Sequence, residues 1–305
     1  MVLGDMAAFN FLKEARLYIV HSNKQYNIDI ENVSFSQTFT EDSYSVKTLH
    51  VQDMFEASTI NKANPANFEF TMPTLKEADS SVQVVLDRLI DYDTVDLYIS
   101  TQQAVFKLEY AVFANGSFVI EKSKVLSITV SGEASKLSKV GTFGSYTIPG
   151  TVQSRAATRT FLQTLEQQVI LGGSDISSSV YKLSVELQND ISWNPYTTIH
   201  AGIEATDASN SMYPTEFTVS KRILAGNIGQ YLTDSNSGEL QDWNRNVSLR
   251  IKVGQNIGGT LYGFDFNMPT CSFTNRLNVD AVFTQNYDWR MTDNSTALSS
   301  IINKL

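Results

Sequence analysis

The sequence predicts a mainly β protein in which two β-sandwich or half-barrel domains follow one another, each with a short flanking helix and a long loop. Three observations support this fold class. Apolar and polar residues alternate along most of the chain. Segments of this kind recur in the same order at a spacing of about 150 residues. The chain of 305 residues also exceeds the length that one hydrophobic core usually serves.

The clearest strand signal lies between Val105 and Val130. Alternating apolar residues lead up to Asn115-Gly116, and the alternation resumes after it. An Asn-Gly pair between two such runs is the preferred sequence of a tight β-hairpin. We therefore expect a hairpin that turns at Asn115-Gly116, and a second copy of it between residues 261 and 285.

Four segments in the first part of the chain have counterparts in the second part. The matched segments are Tyr26–Ile30 with Tyr181–Val185, Val33–Phe35 with Ile191–Trp193, Pro65–Phe70 with Pro214–Val219, and Leu108–Phe118 with Phe264–Phe273. Their shared order favours a tandem duplication. The alternative is two unrelated β domains whose strands resemble each other through shared propensity.

The repeat sets the expected domain boundaries. Residues 1–138 would form a first domain with an N-terminal arm, and residues 161–305 a second domain with a C-terminal segment. Residues 139–160 would be the linker, because Gly, Ser and Thr replace the alternating pattern there and Pro149-Gly150 marks a turn.

Helical periodicity is confined to short stretches. Apolar residues between Val82 and Ile90 have helical spacing and follow the capping residues Asp79-Ser80-Ser81. A weaker counterpart lies within Lys221–Thr233, where two glycines disfavour a helix. Residues 294–305 predict a short C-terminal helix. Residues 38–64 show no sustained periodicity and predict a long loop, of a length that is usually functional or disordered.

The charge balance argues against adhesive binding to nucleic acid. Asp and Glu number 32 against 23 Lys and Arg, which gives a net charge of −9, and no basic cluster interrupts the acidic excess. The start of the chain lacks the features of a signal peptide, and no stretch has the length of a membrane helix, so we expect no membrane insertion.

The sequence offers no recognisable catalytic or cofactor-binding motif. Cys271 is the only cysteine, which rules out an intrachain disulfide and the ordinary zinc sites. The three histidines, at positions 21, 50 and 200, lack metal-ligand spacing. Asp91, Asp93 and Asp96 are more simply a helix end and a strand start than a calcium loop. We therefore expect no catalytic residues, no cofactor and no metal.

The order of these segments resembles that of the major tail tube proteins of long-tailed bacteriophages. The resemblance rests on Phe11–Val20 as first strand, the hairpin return Ile28–Phe35, the loop Phe39–Asn64 and the strand Phe68–Phe70. Val180–Trp193 and Pro214–Val219 repeat that order. Nearly the whole chain is covered, by short motifs.

The resemblance implies an assembly subunit rather than an enzyme. In that family, members with two tandem tube domains form trimeric, pseudo-sixfold rings that stack into a tube around a channel for genome ejection. It further implies contacts with tape measure, terminator and baseplate or tip proteins, passage of phage DNA without specific binding, and assembly in the host cytoplasm into the virion tail.

The resemblance also suggests which residues act in assembly. The long loop would carry ring-to-ring contacts through Met54, Phe55 and Ile60. The alternating strands of residues 95–130 and 247–285 would supply the channel wall. Glu109, Glu121 and Asp265 would be acids facing the lumen.

Two other readings stay open. The chain could be a tail terminator, tube initiator or baseplate protein with tube-like domains, present in few copies. It could also be a monomeric β-sandwich that binds carbohydrate, for which Trp193, Trp243 and Trp289 are the candidate stacking residues.

Overall fold

A computed structural model of the chain describes residues 12–44, 57–77, 80–193, 212–233, 246–279 and 281–305. The mainly β fold class is confirmed. We call residues 12–141 the first half, residues 142–165 the connecting segment and residues 166–305 the second half. Among the described residues, no helix is long and apolar enough to cross a membrane.

The described residues of the first half form ten strands and one helix. In chain order they are β1 (Arg16–His21), β2 (Lys24–Ile28), β3 (Asn32–Ser36), β4 (Phe39–Tyr44), β5 (Ala57–Ala63), β6 (Ala66–Pro73), α1 (Ser80–Asp91), β7 (Val95–Ser100), β8 (Val105–Val119), β9 (Ser127–Ala134) and β10 (Lys136–Gly141).

The connecting segment and the second half also consist mainly of strands. Its elements are β11 (Thr151–Val152), β12 (Glu166–Leu171), β13 (Ser174–Asp175), β14 (Val180–Trp193), β15 (Phe217–Tyr231), β16 (Val247–Ile257), β17 (Thr260–Val279), β18 (Phe283–Met291), α2 (Leu298–Ile301) and β19 (Ile302–Lys304). Single 3₁₀ turns occupy Leu12–Glu14 and Ser177–Ser179.

Several local predictions are confirmed. The helix at Val82–Ile90 is α1, and its apolar face is buried. β1 and β2 also form a hairpin through Ser22 and Asn23, whose positive φ angles of 47° and 59° match the backbone of a tight hairpin turn. The short C-terminal helix is α2, which is followed at once by β19.

The hairpin predicted at Asn115-Gly116 is wrong, because β8 runs straight through both residues and the chain turns between Ile120 and Leu126. Gly116 serves close packing instead of a turn. A Cβ at this position would lie 2.8 Å from Cδ1 of Leu89 on α1. Glycine therefore lets the strand pass against the helix.

The helix predicted within Lys221–Thr233 is also wrong, because this stretch belongs to β15. A Cβ at Gly226 would lie 2.0 Å from the carbonyl oxygen of Ser184 on β14. The glycine therefore marks close contact between two paired strands, and the ladder between β14 and β15 overrides the helical spacing.

Residues 38–64, which the sequence predicts to be a long loop, form a strand at each end. Strands β4 and β5 pair with each other in a separate two-stranded sheet. Residues 45–56, between them, lie outside the described part of the chain.

Strand β8 belongs to two layers of the first half. Its residues up to Ala111 pair with β7 and β10, next to β1 and β2, and its residues from Val112 onward pair with β9, next to β6 and β3. Tyr110, with φ of 52°, marks the bend between the two parts. Phe35 on β3 packs 5.2 Å from Phe106 on β8, so the two layers face each other across the core.

The second half repeats these strand pairings. β12, β13, β16, β17 and β19 pair as β1, β2, β7, β8 and β10 do, and β14, β15, β18 and β17 pair as β3, β6, β9 and β8 do. One buried row shows the match residue by residue: Ile19, Leu97, Leu108 and Leu137 in the first half, and Val169, Ile251, Phe266 and Ile302 in the second.

The strand pairings show which of the four sequence matches join equivalent strands. The matches of Val33–Phe35 and of Pro65–Phe70 join strands with the same pairing, but their register is shifted, because Gly226 rather than Phe217 occupies the position of Phe68 in the ladder. The match of Leu108–Phe118 joins the right strands, but Leu108 corresponds to Phe266 rather than to Phe264. The match of Tyr26–Ile30 with Tyr181–Val185 is wrong, because β2 corresponds by its pairing to β13 and not to β14.

The two halves share one buried core. Phe118 of β8 is 2% exposed, and its ring lies 5.1 Å from Phe264 and 4.8 Å from Phe266 on β17. The residues predicted as a linker are held to the first half, since β11 pairs with β2 and Arg159 bonds Asp29 at 2.9 Å. The domain boundaries at 138 and 161 stay a prediction.

Because Phe118 fills the contact between the halves, we expect Phe118→Ala to lower the free energy of unfolding by about 3–5 kcal/mol. A denaturant titration measures this loss. The exposed Phe143 provides the matched control, since Phe143→Ala removes the same atoms from the surface. Equal losses for the two variants would contradict a packed contact at Phe118.

Candidate assembly surface

Eight strands form one continuous sheet that crosses from the first half to the second. Their order is β3, β6, β9, β8, β14, β15, β18 and β17, with residues 112–119 of β8 and 271–279 of β17 taking part. We call it the shared sheet. It forms because each layer ends on an edge strand that another strand can pair with.

The junction of the shared sheet lies between β8 and β14. Asn115 to Phe118 run antiparallel to Val185 to Gln188, which face them in reverse order. The β8 edge of the first-half layer is thereby paired with the first strand of the second-half layer.

Two polar side chains bind the end of α1 beside this junction. Asn189 on β14 donates to the carbonyl oxygens of Leu89 at 3.3 Å and of Phe113 at 3.2 Å. Arg222 on β15 donates to the carbonyl oxygen of Ile90 at 2.5 Å and to Oδ1 of Asn189 at 2.8 Å. The last carbonyls of a helix lack partners within it and attract cations, so this pair satisfies and caps α1.

The position of Asn189 carries a signal that our sequence reading missed. Leu183, Val185 and Leu187 point into the core, and Asn189 continues that row with a polar side chain that is buried. A polar residue in a core-facing row needs a fixed partner.

Burial lowers the pKa of Arg222, and its interactions with Tyr92 and Asp91 oppose that effect.

Both outer edges of the shared sheet are open in the described part of the structure. β3 pairs there with β6 alone, and residues 272–279 of β17 pair with β18 alone. Unpaired edge strands are templates for pairing with another chain.

One face of the shared sheet packs on the core and the other is polar. The side chains on the polar face include Ser34, Asn67, Glu69, Asn115, Ser117, Thr129, Ser131, Glu133, Glu186, Asp190, Asn227, Arg276 and Asp288. This face is rich in hydroxyls and amides, with carboxylates on several strands and four basic residues, Lys182, Lys221, Arg276 and Arg290.

Glu133 lies in a shallow groove of the polar face, next to Asn67 and Asn115, where the β8 ladder shifts by one residue. Burial raises the pKa of its carboxyl group, and the nearby indole N–H of Trp193 opposes this effect.

The sequence-predicted assembly residues are spread over the molecule. Met54 and Phe55 lie outside the described residues, and Ile60 on β5 is 46% exposed. Glu109 lies 3.3 Å from Nζ of Lys107, and Glu121 is exposed in the turn after β8. Their roles in ring contacts or in the lumen stay predictions.

Asp265 is only 7% exposed, and its carboxylate binds Arg250 through two contacts of 2.6 and 3.0 Å. Its charge is thus compensated within the chain. Its lumen-facing role also stays a prediction.

The remaining chemical candidates have structural partners. Asp91 and Asp93 bind Arg88 at the end of α1, and Asp96 binds Lys107. Trp193 and Trp289 are buried, and Trp243 is outside the described residues. Among the residues that the structure describes, no group of three or more His, Cys, Asp or Glu is placed to hold a metal ion.

Comparison with known families identifies the kind of protein that carries this sheet. The model of the Bacteriophage Baseplate Tube Protein Family matches residues 7–302. The chain belongs to this family. A search of the curated proteins finds no match. As a baseplate tube family member, the chain is a structural, tail-related phage protein with its place in the virion tail. The resemblance to phage tube proteins is confirmed at that level.

The helix cap gives a test of the junction in this family member. We expect Asn189→Leu to lower the free energy of unfolding by about 1–3 kcal/mol, because it removes the side-chain donor to the carbonyl of Phe113 and the acceptor of Arg222 Nε. The carbonyl of Leu89 keeps its bond from Arg222 at 3.2 Å. Asn115→Ala, which changes an exposed asparagine on the neighbouring strand, is the control and should change stability little. Denaturant midpoints measure both, and an unchanged midpoint for Asn189→Leu would contradict the cap.

The groove at Glu133 gives a pH test. Its folded-state pKa is raised, so the stability that its neutral form contributes is fully present below the unfolded pKa and is lost as the pH rises through the folded one. We therefore expect Glu133→Gln to unfold like the wild type near pH 4 and to be more stable than it at pH 8. Melting temperatures across that range measure the difference, and parallel curves for the two proteins would contradict it.

Proposed function

We propose that the protein is a tube subunit of the phage baseplate whose copies join edge to edge, through the shared sheet, into a closed ring around a channel. The observation that carries the proposal is the β8–β14 junction, which already joins two equivalent layers inside one chain.

The junction inside the chain is a template for a junction between chains. By their pairings, β17 is the counterpart of β8, and β3 is the counterpart of β14. The two open edges are therefore the same two edges that meet inside the chain. Pairing β17 of one copy with β3 of the next repeats a known contact and leaves no edge open once the ring closes.

The copy number follows from the resemblance to tube proteins with two tandem domains. Each chain contributes two layers of four strands, so three copies give six equivalent layers. A trimeric ring of this kind has pseudo-sixfold symmetry, and the duplication supplies every second junction covalently.

The polar face of the shared sheet is the one that can line the channel, because the opposite face is buried against the rest of the chain. Its carboxylates would repel phage DNA over roughly 8 Å at cellular salt, so that DNA passes without specific binding. Glu109 and Asp265 lie on the parts of β8 and β17 outside the shared sheet. In this ring the lumen would instead carry acids such as Glu69 and Glu186, and Asp288, which pairs with Arg276 at 3.5 Å.

The hairpin of β4 and β5 is the proposed ring-to-ring element. It pairs with neither main layer, and Ile60 is exposed on it. Through it, rings would stack on each other and on other tail proteins such as the tape measure, terminator and tip. Assembly in the host cytoplasm fits a chain with one buried cysteine. The role we propose is structural, with no catalysis and no cofactor.

A second candidate is the major subunit of the tail tube, which the two-domain resemblance favours, whereas the family description favours the baseplate. Electron microscopy of the purified protein distinguishes them. Long hollow tubes indicate the major subunit, and isolated rings or short stacks indicate the baseplate. Dispersed monomers would contradict both.

The open edge of β17 can be blocked without disturbing its paired edge. Thr292 donates its N–H to the carbonyl of Thr270 at 3.0 Å, and alternation then directs the N–H of Asn275 away from β18. We expect Asn275→Pro to fold and to stay monomeric, because proline removes that donor. The wild type should form particles of three times 34.0 kDa.

Asn275→Ala is the matched control, since it removes the side chain but keeps the N–H, and it should form rings. Light scattering after gel filtration measures the mass of each variant. Rings of normal mass from Asn275→Pro, with an intact melting transition, would contradict pairing through β17.

A further inference from the structure

The connecting segment covers one end of the first half, where β8 turns into β9. Leu162 is completely buried there. Its N–H donates to the carbonyl of Thr74 at 2.9 Å, and its own carbonyl accepts the N–H of Leu126 at 2.8 Å. The segment thus adds a short piece of strand over the apolar end of this hairpin.

Two flanking residue pairs fix the register of this contact. Phe161 lies opposite Leu75, and Gln163 lies opposite Val125, both in antiparallel bridges. The contact is therefore a strand-like one, with a defined partner for each residue.

The second half has an equivalent end, where β17 turns into β18. In the described part of the chain, no residue covers it as Leu162 covers the first half. The bond from Thr74 N–H to the carbonyl of Leu126, 2.7 Å, recurs as a bond of 3.0 Å from Leu232 N–H to the carbonyl of Phe283. Leu126 is completely buried, whereas Phe283 is 51% exposed. Val282, the counterpart of Val125, is 53% exposed.

The start of the chain has the sequence that would cover this end. Ile19 and Val169 occupy the same position in the repeated buried row. Leu12 precedes Ile19 by seven residues (19 − 12), and Leu162 precedes Val169 by seven (169 − 162). A phenylalanine precedes each leucine, so Phe11-Leu12 corresponds to Phe161-Leu162. Leu12 is 59% exposed within its own chain.

We propose that Phe11-Leu12 of one copy binds the exposed end of the second half of the neighbouring copy, at Leu232, Val282 and Phe283. Within its own chain Leu12 lies in a 3₁₀ turn, and its carbonyl accepts the N–H of Ala15 at 2.9 Å. On binding, this turn would open and the arm would add the same short strand that the connecting segment adds to the first half. This inference rests on the ring proposed above and names a second contact within it.

The two contacts between copies are geometrically consistent. Inside the chain, β14 of the second half pairs with the edge of β8. The connecting segment, which directly precedes the second half, covers the turn between β8 and β9. Between chains, the copy that supplies β3 to the β17 edge would likewise supply its arm to the β17–β18 turn of the same neighbour. One relative orientation of the copies therefore satisfies both contacts.

A disulfide between copies tests the register directly. Lys13 corresponds to Gln163, and Val282 to Val125, a pair whose Cα atoms face each other across a bridge. Bridged antiparallel residues have Cα separations in the range that a disulfide spans. We expect the double variant Lys13→Cys, Val282→Cys, when oxidised, to give covalent dimers and trimers on non-reducing gels.

The controls exclude other causes of cross-linking. Each single variant should stay monomeric on the gel, and the native Cys271 does not compete, because it is buried and burial raises its pKa to about 12. The pair Gln163→Cys, Val125→Cys should close within one chain and run at monomer mass, which shows that the geometry permits the bond.

The outcomes separate this inference from the ring itself. Rings in the microscope without interchain cross-links overturn the arm contact and leave the ring. Absence of both rings and cross-links overturns both. Leu12→Asp gives an independent measure, since it should weaken ring formation at least about tenfold, whereas Leu12→Ile should preserve it. Equal ring formation by these two variants would also overturn the arm contact.

Discussion

The pairing requirements of β8 organise the molecule. The strand has more neighbours than one flat sheet allows, since its first part pairs in one layer and its last part in the other. The left-handed backbone at Tyr110 lets it bend between them. Its remaining edge, at Asn115–Phe118, is then paired by the second half. After β8 has paired with β9 in its own layer, its other edge is still unpaired. The pairing of that edge with β14 determines how the two halves join.

The equivalence of the halves is clear in backbone pairing and weaker in side chains. Met72 and Ile128 lie opposite each other in the first half, and the same places in the second half hold Gln230 and Gln285. Both glutamines are buried. Gln230 donates to Oγ of Ser179 at 2.8 Å, whereas neither polar atom of the Gln285 side chain has a hydrogen-bond partner among the described residues. Backbone hydrogen bonding constrains every residue of a ladder, while the side chains at core positions of the two halves can differ even in polarity. Topology can therefore persist after the sequence similarity between such halves has faded.

Sequence reasoning succeeded where the signal was local. The capping serines before Val82 and the apolar spacing after it identify α1, and alternation identifies β1 and β2. It failed at Gly116, because a glycine in a turn and a glycine that admits a neighbouring element look the same in sequence. It also failed within Lys221–Thr233, where the spacing of apolar residues suggested a helix although Gly226 admits a neighbouring strand. These close approaches depend on Leu89 and Ser184, which are distant in the chain. The β8–β14 junction and the open edges are equally nonlocal, so the candidate assembly surface became visible only with the strand pairings.

The repeated strand pairing within one chain has a physical consequence for assembly. Association of separate copies costs translational and rotational freedom, whereas a junction within one chain forms at the high effective concentration that the covalent connection provides. In the proposed ring, half of the junctions are of this kind, and the Asn189–Arg222 cap with the buried Leu162 reinforces each of them. The junctions between copies have only the open edges, the exposed residues near Phe283 and the arm at Leu12 to stabilise them. The assembly contacts should therefore be the weaker half of the ring, which lets subunits fold as stable monomers and associate only when two copies present complementary edges.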